Sequence, residues 1–146
     1  DAHVAAARRA GNTILTGGAI CHPDGCEAGH YFAPTVVLAR GLDDAIVQEE
    51  VFGPVLAVTV VDDLDAAIAA ANATPYALVA GIYTADLGQA FRFARAVDAG
   101  QVYINEYFAG GIEVPFGGNR KSGFGREKGL EGLRGYCKLK SIVARI

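Results

Sequence analysis

Apolar positions recur along this chain at helical spacing in some stretches and strand spacing in others. Val4, Ala7 and Ala10 fall on one helical face, and Gly11 stands where a helix C-terminal cap belongs. Thr13–Thr16 reads as a short buried strand ended by Gly17 and Gly18. Tyr31–Leu38 is β-branched and aromatic, with Pro34 marking an edge or irregular strand. Asp43–Gln48 is spaced for one helical turn, and Val55–Val61 for a strand. Asp62 or Asp63 can cap a helix with Leu64, Ala67, Ile68 and Ala71 on one face, which Asn72–Pro75 breaks. Val79–Tyr83 is a strand. Asp86 caps a helix with Leu87, Ala90, Phe91, Ala94 and Val97 on its apolar face, and Gly100 ends it. Gln101–Asn105 is the next strand. Arg126–Leu133 fits a short helix, and Tyr136–Ile146 alternates apolar and charged residues as a half-exposed strand does.

Strand, helix, strand, helix, strand with short connections is the pattern of parallel βαβ units buried on both faces, so the fold class is α/β. The length, 146 residues, suits about one domain, and 51 % hydrophobic residues suffice for a core. No apolar run reaches membrane-spanning length, which speaks against a membrane partner. A net charge of −3 with both signs interspersed leaves no footprint for nucleic acid. There is no Met, and Asp1 is expected to be a cut end of a longer chain. The three cysteines, an odd number, favour a reducing, cytoplasmic setting. Cys21, His22, Cys26 and His30 lie close enough to be drawn as a zinc site, but their spacing fits no usual finger. Pro23, Asp24, Gly25 and Gly29 make the segment a surface loop, and no metal is expected. Cys137, in an apolar run, reads as a structural thiol.

The densest chemistry is PFGGNRKSGFGRE, Pro115–Glu127. A phosphate loop needs Lys and then Ser or Thr directly after its second glycine. Gly118 and Gly123 have the right separation, but Phe124 and Gly125 follow. The dinucleotide fingerprint fails too, because Lys128 stands where its third glycine belongs. These glycines therefore serve sharp turns and close backbone approach. Arg120, Lys121 and Arg126 read as a solvated face or as partners of nearby carboxylates such as Glu127.

Three motifs stand in order: EEVFGPV at Glu49–Val55, INEY at Ile104–Tyr107 and PFGGNRKSGFGRE. Together they resemble the C-terminal third of the NAD(P)-dependent aldehyde dehydrogenases, and the likeness runs over essentially the whole chain. It implies that residues 1–134 end the family's catalytic domain. Residues 135–146 would form the strand that bridges to a neighbouring subunit in a dimer or tetramer. It also implies oxidation of an aldehyde to a carboxylic acid through a cysteine thiohemiacetal and thioester, with NAD or NADP as cofactor. The nucleophilic cysteine and the general-base glutamate would lie before Asp1. None of Cys21, Cys26 or Cys137 fits the nucleophile's motif, so no catalytic residue is expected in this chain, and alone it should be inactive.

On residue type alone, Glu49 and Glu50 are a solvated acidic pair and Phe52 is core. The resemblance reassigns two of them. Glu50 would accept hydrogen bonds from the nicotinamide ribose hydroxyls, and Phe52 would pack against the nicotinamide. Glu49 stays a surface group. Phe108, Gly110 and Phe116 match the family's aldehyde pocket, with Tyr107 and Ile112 nearby, which suits a hydrophobic or aromatic aldehyde. Loop packing explains Tyr107 and Phe108 equally well. Asn105, closing its strand, can orient the loop through side-chain bonds to backbone. The resemblance leaves open an acyl-CoA-forming or reductive member of the superfamily, and an inert binding or assembly module that kept the fold.

Overall fold

The structure is a computed structural model describing residues 1–146. The chain divides into two compact units, Asp1–Thr74 and Pro75–Ile146, where length alone predicts one domain.

In the first unit, α1 (Ala2–Arg9) buries Val4 and Ala7. Gly11, at φ +86°, ends it as expected: its N–H donates to the Arg8 carbonyl and the Asn12 N–H donates to that of Ala7. The Asn12 side chain is buried between elements. It donates to the Ala7 carbonyl at 3.1 Å and accepts the Arg40 N–H at 2.9 Å. Strand β1 (Thr13–Thr16) is mostly exposed, not buried, because it is the edge of a three-stranded sheet. The stretch 31–38 is two strands. Pro34 separates β3 (Tyr31–Phe32), which pairs antiparallel with β2 (Ile20–Cys21), from β4 (Thr35–Leu38). Strand β4 is the centre of the sheet, antiparallel to β1 and parallel to β5 (Val55–Val58). Its Val37 is fully buried with Ala7, Ala39 and Ile46, the last from α2 (Ala45–Gln48). Helix α3 (Leu64–Asn72) starts where the Asp63 carboxylate accepts the Ala66 N–H at 2.8 Å, but it buries no residue fully.

In the second unit, β7 (Val79–Ile82), α4 (Leu87–Ala96) and β8 (Gln101–Ile104) form a parallel βαβ unit. Asp86 caps α4 by accepting from Gly88 and Gln89. The buried face is Ala90, Phe93 and Val97, while Leu87 and Phe91 are exposed, so the buried stripe keeps Ala90 and Val97 of the predicted one and turns towards Phe93. Strand β6 (Tyr76–Ala77) pairs antiparallel with β9 (Asn119–Arg120), and α5 (Gly129–Arg134) follows. Every sheet has only two or three strands. Sheets this narrow leave strand faces uncovered, so β5 and β7 are half-exposed where burial on both faces is the expectation from pattern. Strand β5 pairs with β4 and β7 with β8, so the β5–α3–β7 stretch does not form a laddered βαβ unit of its own.

Residues 136–146 form neither strand nor helix and are exposed, against the strand expected there. A strand exists by its ladder, and no segment of this chain pairs with them. Cys137 consequently lies in the open, its thiol turned back to the Leu133 carbonyl at 3.7 Å. No helix is long and apolar enough to cross a membrane.

Candidate functional site

The first unit offers a turn. Helix α2 stops at Glu49, whose N–H closes the last helical bond to Ala45 and whose carboxylate lies 3.7 Å from His3 Nδ1. From there the side chains alternate. Val51 packs against the core, while Glu50 and Phe52 point out. Phe52 is 93 % exposed and sits at φ +52°, a left-handed conformation that strains any residue with a Cβ. So the structure does not make Phe52 a core residue. Gly53 and Pro54 then return the chain to the sheet: the Pro54 carbonyl accepts the Thr35 N–H at 2.9 Å, at the start of the β4–β5 ladder. Beside this turn, Thr35, Val36, Pro54 and Leu56 help line a shallow groove of about 400 Å³. The turn presents a carboxylate with two acceptor oxygens two residues from a bare aromatic face.

The second unit offers a pocket. Strand β8 ends at Asn105, at φ +56°, a conformation Asn tolerates better than most residues. Its N–H donates to the Ile82 carbonyl at 2.8 Å. Its side chain then mimics one more ladder step, accepting the Thr84 N–H at 2.8 Å and donating to the Thr84 carbonyl at 2.9 Å. That is the side-chain bonding anticipated for it. The loop it launches folds back on β8 through stacked rings. Tyr107 meets Phe108 edge-on at 4.8 Å, and Tyr103, buried on β8, lies 5.8 Å and 6.0 Å from them. Phe116 joins the cluster at 6.2 Å from Phe108.

Phe116 opens the glycine-rich stretch, and its N–H and carbonyl pair with those of Glu127, each at 2.8 Å. The ten residues between form a closed loop, and Arg126 fills it. The guanidinium donates to the carbonyls of Gly118 at 2.6 Å, Gly125 at 2.9 Å and Phe124 at 3.3 Å, and to Asn119 Oδ1 at 3.1 Å. The loop therefore turns carbonyls inward onto its own cation, the reverse of a phosphate cradle of inward N–H groups. Arg120 pairs with Asp98, which also accepts from Asn119 Nδ2 at 3.1 Å. Neither arginine takes Glu127, the partner suggested by nearness in sequence. The loop neck presses against β8. A Cβ on Gly100 would fall 1.7 Å from the Gly117 carbonyl oxygen, so only glycine fits.

These contacts enclose a pocket of about 170 Å³. Phe108, Gly110 and Phe116, the three residues anticipated for a substrate site, all line it. So do Gln101, Tyr103, Val114, Glu127 and Lys128, which motif reading passed over. Strand alternation could have found two of them, since Gln101, Tyr103 and Asn105 share one face of β8. Gln101 also supports the wall, donating to the Pro115 carbonyl at 2.9 Å. None of the three cysteines lines it. Cys21 lies on β2, Cys26 in an exposed turn, and no three His, Cys, Asp or Glu side chains group as metal ligands would.

Residues 1–142 match the sequence model of the aldehyde dehydrogenase family. The chain belongs to that family. The betaine aldehyde dehydrogenase of Rhizobium leguminosarum bv. trifolii is 41 % identical over 141 residues, covering 97 % of this chain and 29 % of the relative. That of Agrobacterium fabrum is 43 % identical over 132 residues, covering 90 % of this chain and 27 % of the relative. The fold agrees with solved aldehyde dehydrogenases. The Staphylococcus aureus betaine aldehyde dehydrogenase in complex with NAD+ superposes with a TM-score of 0.88 at 38 % identity, over 92 % of this chain and 27 % of that one. The indole-3-acetaldehyde dehydrogenase of P. syringae, in complex with NAD+ and IAA, gives 0.90 at 40 % identity, over 97 % and 28 %. This family member thus spans 27–29 % of the length of these relatives.

Proposed function

We propose that this chain is the C-terminal portion of an NAD(P)-dependent enzyme that oxidises an aldehyde to a carboxylic acid. Residues 1–134 complete its catalytic domain, and residues 135–146 bridge to another subunit of a homo-oligomer. The observation that carries the reading is the pocket in which Phe108, Gly110 and Phe116 meet. The solved relatives bound to NAD+ support the cofactor.

The residues present fit a nicotinamide nucleotide. Glu50 is an exposed carboxylate free to accept from both hydroxyls of a ribose, and Phe52 offers an uncovered ring for a flat heterocycle. When bound, the nicotinamide supplies the hydride acceptor. In this chain Glu50 would hold the sugar, Phe52 would pack against the nicotinamide, and the Phe108–Phe116 pocket would exclude water from the substrate's apolar part. The nucleophile and the general base are assigned to sequence outside this chain. The exposed 136–146 segment gains its backbone partners from a second copy, as an unpaired strand does by adding to another sheet.

The test is aldehyde-dependent reduction of NAD+ or NADP+ by the full-length protein, with the product identified with and without coenzyme A. A carboxylic acid in both conditions supports the reading. A thioester formed with coenzyme A would instead make it an acylating member of the family. No reduction with aliphatic, aromatic or charged aldehydes would sink the dehydrogenase assignment. The 146-residue chain alone should show no turnover, having one end of the cofactor's contacts and no nucleophile.

A further inference from the structure

Lys128 is the one cation in the pocket lining, and nothing in the family assignment accounts for it. Its ammonium nitrogen stands 5.7 Å from the centroid of the Phe116 ring. It takes part in no salt bridge within the chain, and it is exposed at the N-terminal end of α5. The pocket wall is otherwise rings, glycines, two small aliphatic side chains and the Gln101 amide, with Glu127 the only acid. Glu127 opposes Lys128 in charge, but it is Lys128 that covers an aromatic face.

An aromatic face attracts one cation at a time. With an ammonium already over Phe116, a positively charged substrate meets like-charge repulsion there, and an anionic one meets an available counter-charge. We propose that the pocket selects an aldehyde whose far end carries an anion, a carboxylate above all, and that Lys128 is the residue that sets this preference. The inference rests on the pocket being the aldehyde site. It separates this protein from the relatives named for betaine aldehyde, a quaternary ammonium substrate.

The full-length protein is assayed with three aldehydes: glutaric semialdehyde, neutral pentanal and cationic betaine aldehyde. The expected order of kcat/KM is semialdehyde, then pentanal, then betaine aldehyde. Lys128→Met should lower the semialdehyde-to-pentanal ratio by roughly fivefold, the weight of one exposed charge contact, and Lys128→Arg should keep it. Met is no more strained than Lys at this position's φ of +59°, so folding is not the issue. A ratio unmoved by Lys128→Met, or betaine aldehyde as the best substrate, overturns the proposal. Should no aldehyde be oxidised, the dehydrogenase reading fails by itself. Calorimetric binding of glutarate against pentanoate then decides the anion preference: tighter glutarate binding that Lys128→Met abolishes upholds it, and equal binding refutes it.

Discussion

Phe52 and Phe108 share nearly the same φ, +52° and +55°, and both rings are exposed, yet only Phe108 has ring partners. Each left-handed residue costs roughly 1–2 kcal/mol against an ordinary conformation. At Phe108 the ring recovers this inside the chain, edge-on to Tyr107 and within reach of Tyr103 and Phe116. At Phe52 the ring is 93 % exposed and has no ring partner, while the turn around it is held by Val51, the Pro54 carbonyl and the bond from the Val55 N–H to the Gly53 carbonyl. The pocket is therefore built by this chain for itself, and the Glu50–Phe52 turn is the part of the chain that the proposed cofactor contact would repay. Strain without local repayment is what a ligand-facing residue shows.

If the pocket is self-supporting, breaking its supports should unfold it. Gly100→Ala puts a methyl group 1.7 Å from the Gly117 carbonyl, backbone against backbone with no side chain to yield. It should destabilise the full-length protein by about 3 kcal/mol or more in urea unfolding, and its aldehyde activity should fall with its folded fraction. An unchanged midpoint would mean that the loop neck does not rest on β8. Arg126→Met comes next. It removes the donor to three carbonyls and one amide oxygen, so about 2–3 kcal/mol should be lost, with accelerated hydrogen exchange confined to residues 116–127. Exchange unaltered there would show that the glycine loop holds its shape without its guanidinium.

What could be read from sequence follows the same division. Caps were legible because they need one residue of the right type at one offset: Asp63, Asp86 and Gly11 all act as expected. The pocket residues Phe108, Gly110 and Phe116 came from the family resemblance and converge in space. Contacts distant in sequence were not legible. Nothing near Arg126 says that it turns inward to carbonyls instead of out to Glu127, because carbonyls are invisible in a sequence. The α4 stripe was right at Ala90 and Val97 and wrong at Leu87, Phe91 and Phe93. Phe91 and Phe93 are equally apolar, and only packing decides that Phe93 is buried. Strand burial failed for a plainer reason. Alternation and β-propensity report a strand's own chemistry and not whether its sheet is wide enough to cover it. The 136–146 segment is the extreme case, with strand composition and no partner within the chain.

The turn calls for the opposite experiment, where function changes and stability does not. Glu50→Gln in the full-length protein keeps size and removes charge from an exposed side chain. Stability should stay within about 0.5 kcal/mol. The hydride-transfer step in single-turnover kinetics should slow by about tenfold, the weight of one charge-assisted hydrogen bond, while total cofactor affinity changes less. Equal single-turnover rates would return Glu50 to the role of a solvated surface acid beside Glu49.

The smallest stability effect, and the sharpest test, belongs to Phe52→Gly. Glycine accepts φ +52° without strain, which stabilises the fold, but it adds freedom to the unfolded chain, which opposes that gain. The two nearly cancel, so the melting temperature should hardly move, within about 0.5 kcal/mol of equivalent stability. Phe108→Ala, by contrast, leaves the left-handed strain and removes the edge contact with Tyr107, and should cost about 1–2 kcal/mol. The pair decides whether nearly equal φ angles serve different ends. A Phe52→Gly protein that stays stable but transfers hydride more slowly places the missing repayment of that strain in the cofactor complex. A Phe52→Gly protein as unstable as Phe108→Ala would mean that the exposed ring supports its own turn, and the distinction between the two regions would not hold.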